Sequence, residues 1–317
     1  MAQRETSIDF FRGFCIILMV FFSLILAFSD SLPDMLTHNE QFSLHFGDFV
    51  LPMFLFASGM SIHHFRNKIS GLKATTRAFF VAERFSRITM VWFFISPFTA
   101  GLFQMDELIL SGILFIPTYL LALCRDRTVL LSGMLCIGAY FALSAAGMLP
   151  DFSSHYLGGF GAAPFYLPVM LGGLLLSRNP DKTGIMTWSS GALSAVFVLV
   201  IPPYKLYATP AFIILSIFAS LVIFTLVRGI RSSALEYIGR KPLRYWVLMS
   251  VVIVVPLKLY VYFKKLYLPF DFDWLGACAI SLFACVVLAA ISLAIDRIGS
   301  KLMVWLGREP DNQVRDL

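Results

Sequence analysis

Phe11-Arg12-Gly13-Phe14-Cys15-Ile16-Ile17-Leu18-Met19-Val20-Phe21-Phe22-Ser23-Leu24-Ile25-Leu26-Ala27-Phe28 carries one charge in eighteen residues, near its start. About 20 apolar helical residues cross a hydrocarbon core, so this stretch reads as a membrane span. Arg4 precedes it, and Ala27-Phe28-Ser29 has the small-x-small form of a signal cleavage site. The run is long for a signal peptide, however, and Asp9 and Arg12 stand at its mouth, where a secretory signal rarely has an acid.

The rest of the chain agrees. Of 317 residues 58% are apolar and 14% charged, with 32 phenylalanines and a mean hydropathy of +0.80. A soluble domain would lack polar residues to cover its surface, and a disordered chain would lack this much apolar mass. The expected fold is all-α: one polytopic domain over residues 1–317 with about ten transmembrane helices. The spans are read at Phe11–Phe28, Asp48–Phe65, Ile88–Phe103, Leu108–Cys124, Val129–Leu149, Ala163–Ser177, Thr187–Ile201, Pro210–Val227, Tyr245–Phe263 and Trp274–Ile295.

With the N-terminus inside, 21 of the 25 Lys and Arg fall in inner segments, including Arg66, Lys68, Lys73, Arg77, Arg84 and Arg87. The outer side keeps Lys205, Lys258, Lys264 and Lys265. This bias puts both termini in the cytoplasm, and a plasma (inner) membrane is the expected location. The net charge of +6 is then a topology signal, and nucleic acid is not an expected partner. The five cysteines lack the spacing of a zinc or redox-dithiol site and read as small buried residues.

Polar residues in spans are costly and point to function. Three places qualify. Asp9 and Arg12 are three apart and can pair on a helix. They either anchor the helix end or leave Arg12 facing a phosphate, with Gly13 allowing close approach of another backbone. The outer loop Ser29–Gly47 has no Lys or Arg but holds Asp30, Asp34, His38, Glu40 and His45. A histidine there can take a proton beside a carboxylate, or the loop is simply solvated and acidic. Its two histidines fit no common zinc pattern, so no metal is expected. Asp48 can cap the second span, and Ser58-Gly59 suits close helix packing.

The first and third places form a pair. Ser7-Ile8-Asp9-Phe10-Phe11-Arg12-Gly13 is followed by the apolar helix, and Gly47-Asp48-Phe49-Val50-Leu51-Pro52-Met53-Phe54-Leu55-Phe56-Ala57-Ser58-Gly59-Met60-Ser61-Ile62 opens the next. Together they resemble the N-terminal signature of the heparan-alpha-glucosaminide N-acetyltransferase family, within the wider group of transmembrane acyltransferases. A later stretch, Ile238 to Tyr245, is similar to an element that precedes one of the family's late spans. The chain departs from the pattern at Ser23, where the family has Asn, and at Gln41, where it has Trp. The loop from Ser23 to His38 is four residues longer than usual.

The resemblance implies a membrane enzyme that takes an acyl group, acetyl in the family, from cytoplasmic acetyl-CoA or another acyl-CoA. The acceptor is a sugar or glycan on the outer side. His38, ten residues before Asp48, falls at the family's active histidine, as base or acyl carrier, and Asp48 would orient it. Arg12, Ser23 and Arg66 would serve the donor. Lipid bilayer, acyl-CoA and glycan acceptor are the expected partners, and small residues in the spans permit a homodimer. The competing reading from the residues alone is a transporter or flippase for a small solute or lipid-linked sugar, which would have polar residues near the midplane and repeat symmetry. A scaffold subunit with a degenerate site is a third.

Overall fold

A computed structural model describes residues 6–28, 32–33, 36, 44–99, 107–149, 159–205, 207–254 and 273–305. Every regular element among them is helical: α1 (Thr6–Phe28), α2 (Phe46–Ile69), α3 (Ala74–Thr99), α4 (Glu107–Ala122), α5 (Asp126–Ala145), α6 (Gly159–Arg178), α7 (Thr183–Val200), α8 (Pro210–Val227), α9 (Ser233–Arg240), α10 (Pro242–Met249) and α11 (Trp274–Trp305). A single 3₁₀ turn, Pro180–Lys182, precedes α7, and a π turn, Ser250–Val254, continues α10.

A helix lies at each of the ten stretches read as spans, but seven of the described helices are long and apolar enough to cross a bilayer. The other three differ for visible reasons. In α3 the first fourteen residues carry Arg77, Glu83, Arg84 and Arg87. At 16 residues α4 is short of a full crossing. The ninth stretch is represented by α10 and the π turn, and its remainder lies outside the described residues. The two stretches interrupted by Gly and Pro still form helices of 20 and 18 residues, α6 and α7.

Buried α2 is the centre of the bundle, packed against α1, α4, α6 and α8. It runs antiparallel to α1: Arg12 meets Ser61 at one end and the Phe22 ring meets Phe46 at the other. Two crossings bring backbone onto backbone. A Cβ at Gly59 would collide with the Met170 carbonyl and one at Gly173 with the Phe56 carbonyl, so α2 and α6 touch only because both positions lack a side chain. Gly13 and Gly239 do the same for α1 and α9, against the carbonyls of Leu235 and Asp9. By contrast α5 and α7 sit at the periphery. Leu130, Leu131, Met134 and Leu135 on α5, and Ile185, Trp188, Leu199 and Val200 on α7, are exposed, as suits helices facing hydrocarbon.

Candidate active site

The sequence places charge at two ends of the α1–α2 pair, and the structure builds a different constellation at each. At one end Asp9 and Arg12 are both buried on α1. The Arg12 guanidinium donates to Asp9 Oδ1 at 2.9 Å, to Ser61 Oγ at 2.7 Å and to the Gly239 carbonyl. A planar fork with five fixed donors can hold three partners at once. Arg12 therefore pins α1 to α2 and α9 where Gly13 and Gly239 let the backbones meet. Arg240 adds a second cation 3.5 Å from Asp9 Oδ2. The Asp9–Arg12 pair thus anchors the helix end, and Arg12 is also part of the cleft wall described below.

A second cluster lies at the same end. Asp296 on α11 accepts from Tyr237 at 2.6 Å and pairs with Lys241 and Arg244. It thus ties α9, the α9–α10 junction and α10 to α11. Burial, then the bond to Asp296, pushes the Tyr237 phenol above its ordinary range.

Asp48 stands thirteen residues from Ser61 on α2, which is about 20 Å along a helix. Its carboxylate is 1% exposed. Oδ2 accepts the backbone N–H of His45 at 3.1 Å, capping α2 as the sequence suggests. Pro52 lies one turn further and removes the N–H that would have bonded the Asp48 carbonyl. The unforeseen partner is Lys205, from the α7–α8 connection. Its ammonium, also buried, donates to Asp48 Oδ1 at 3.1 Å. The Lys205 carbonyl in turn accepts from the fully buried Tyr166 hydroxyl on α6, at 3.1 Å. In the sequence Lys205 counts only toward the charge asymmetry; nothing local marks a pair 157 residues apart.

Between the two ends a cleft opens among α1, α2, α3, α4, α6 and α10. Its empty space, taken out to its open mouth, is about 790 Å³. Most of its wall is apolar, from Ile16 and Val20 to Phe54 and Trp246. The polar lining is Arg12, Ser58, Ser61, Arg84, Glu107 and Ser111. The Arg84 guanidinium lies over the rings of Phe65 and Phe115, with its carbon 4.8 and 5.5 Å from their centroids. The ring faces attract the cation through their quadrupoles.

Of the expected site residues, Arg12 lines this cleft and Asp48 is built into the buried pair. Ser23 is exposed on α1 and Arg66 is half-buried near the end of α2; neither lines the cleft. His38 lies outside the described residues, as do His155, Asp30 and Glu40. Arg84 and Glu107 are the cleft residues that sequence reading left among general charge; the former was one of a basic run and the latter sat unremarked just before a span.

The sequence model of the family described as heparan-alpha-glucosaminide N-acetyltransferase, catalytic, matches residues 4–172, more than half of the chain. That region contains α1 to α5, most of α6, and the cleft residues Arg12, Arg84 and Glu107. No curated protein matches the chain.

Proposed function

The chain belongs to the heparan-alpha-glucosaminide N-acetyltransferase family, and from that premise we propose that it moves an acetyl group from cytoplasmic acetyl-CoA to a sugar or glycan on the other side of the membrane. The cleft is the observation that carries the donor half of this reading. Acyl-CoA has phosphates that hydrocarbon excludes and a slim, largely uncharged arm that ends in the thioester. The cleft offers both, with Arg12 and Arg84 on its wall beside a mostly apolar lining. Arginine suits phosphate because its fork meets two oxygens at once. The phosphates stay at the arginine end and the arm runs between α1, α2 and α10.

In the transfer, the acceptor's nucleophile attacks the thioester carbonyl, a carbon–sulfur bond breaks, and CoA leaves as thiol. His38 takes the acceptor's proton and returns it to the sulfur, or carries the acetyl group between the two substrates. Asp48 is braced by Lys205 and by the His45 amide. In this reading Asp48 orients His38 from that fixed position. Both termini are cytoplasmic in this reading, and about ten crossings put the His38 loop outside.

The test is acetyl transfer by the purified protein in liposomes, followed by mass spectrometry of the acceptor. His38→Ala should lose roughly 10²–10⁴ in rate, the worth of general acid–base help, with thermal stability kept. A His38→Ala variant that transfers acetyl at the wild-type rate would overturn the mechanism.

A further inference from the structure

Asp296, toward the C-terminal end of α11, is shared by two cations. Lys241 and Arg244 both pair with it, and Tyr237 donates its hydroxyl to the same carboxylate at 2.6 Å. The Lys241 ammonium also lies over the Tyr237 ring, 5.3 Å from its centroid. Glu236, the acid of α9, is engaged elsewhere, with Arg240 at 3.5 Å. One carboxylate therefore faces two bases, and this cluster carries a net positive charge. The side chains of Lys241 and Arg244 are each 39% exposed against 27% for Asp296, so the cations are its more open side.

Helix length sets the depth of the cluster in the membrane. α11 is one of the helices long and apolar enough to cross a bilayer. Asp296 lies twenty-two residues beyond Trp274, the first residue of that helix, which is about 33 Å of rise. A hydrocarbon core is about 30 Å thick. With Trp274 at one interface, where such rings are favoured, Asp296 reaches the level of the lipid phosphates at the other. Leu293, one turn before Asp296, and Ile298 just after it are exposed, so apolar surface adjoins the cations. Arg297 is exposed at the same level.

We infer that Lys241 and Arg244, held in place by Asp296, form a binding site for the headgroup phosphate of an anionic phospholipid. The guanidinium fork meets two phosphate oxygens at once, and the ammonium adds a point charge beside it. Asp296 orders both side chains beforehand, so less freedom is lost when the lipid arrives. A phosphodiester neutralises the positive charge that the single carboxylate leaves over. A choline headgroup brings its own cation to the same place and is disfavoured. The exposed Leu293 and Ile298 give the acyl chains a surface, which a soluble phosphate ester has no use for. The site has a consequence for the cleft: α10 carries Arg244 toward α11 and presents Pro242, Leu243 and Trp246 to the cleft wall. A bound lipid therefore tightens the seam that backs this wall. The inference stands independently of the acetyltransferase reading.

Detergent-purified protein is titrated with dioleoylphosphatidylglycerol or with dioleoylphosphatidylcholine, and bound lipid is read by native mass spectrometry. Wild type should prefer the glycerol lipid by about tenfold or more, since each of two cations beside a lipid phosphate is worth roughly fivefold in affinity. Lys241→Gln combined with Arg244→Gln should abolish that preference. Arg87→Gln removes a cation that is 66% exposed on α3 and should leave it unchanged. Asp296→Asn frees both cations and should tighten the glycerol lipid, the opposite of what a merely loosened seam would do. It also keeps the test decisive should the double variant aggregate. A double variant that retains the preference, or an Asp296→Asn protein that holds the glycerol lipid less tightly than wild type, overturns the site. Inorganic phosphate at matched ionic strength should not displace the lipid; displacement would give the cations to a soluble phosphate ester and overturn the lipid assignment.

Discussion

Replacing Lys205 with Met should leave Asp48 as a buried carboxylate without its cation. The pair lies at 3.1 Å, with side chains 8% and 1% exposed. At an effective dielectric of about 20 the attraction at that distance is roughly 5 kcal/mol. Most of it offsets the desolvation of two ions, so the pair adds little net stability. Removing one partner keeps the desolvation of the other, and that is worth about 3–5 kcal/mol. Lys205→Met should therefore lower the thermal midpoint of the detergent-purified protein markedly. Asp48→Asn on the same background removes the stranded charge and leaves an amide oxygen for the His45 N–H. The double variant should recover at least half of the loss, a coupling of about 2 kcal/mol or more. A Lys205→Met protein as stable as wild type, or losses that simply add, would refute the buried-pair account.

Gly59→Ala should destabilise by about 1–3 kcal/mol or more, because the added carbon meets the Met170 carbonyl rather than a side chain that can rotate away; an unchanged unfolding midpoint would contradict the backbone contact. Asp296→Asn should cost roughly 1 kcal/mol, since the cations it releases are 39% exposed, and the gap from wild type should narrow in high salt; a gap insensitive to salt would count against an ionic tie. A single cysteine at position 40, in a protein stripped of its five native cysteines, should react with an impermeant thiol reagent in intact cells, and reaction only after permeabilisation would reverse the orientation.

Much of this architecture is legible in residue order, because it rests on local rules. Helix positions follow from apolar run length, the Asp9–Arg12 pair from its spacing of three, and the capping role of Asp48 from its place at the head of an apolar run. Gly13 and Gly59 could be marked as places of close approach, although not the carbonyls they meet. What escaped is long-range. Lys205 and Asp48, or Asp296 with Lys241 and Arg244, are partners only after folding, and each alone resembles ordinary interfacial charge. The same holds for Arg84, whose seat needs Phe65 from α2 and Phe115 from α4. Ser23 and Arg66, close in sequence to the two motifs, do not line the cleft.

The arrangement also explains why the charges are fixed so firmly at the two ends. In the proposed acyl transfer, the donor's phosphates stay at one face and the reacting atoms lie nearer the other. Flexible cations would fold back on any carboxylate within reach. Here each end is braced by a buried constellation: Arg12 spans three helices, and Lys205 is clamped between Asp48 and the Tyr166 hydroxyl. The two glycine crossings bind these helices backbone to backbone. Between the braces, serines on α2 and α4 supply hydrogen bonds without charge. A slim polar arm can pass such a wall at low cost.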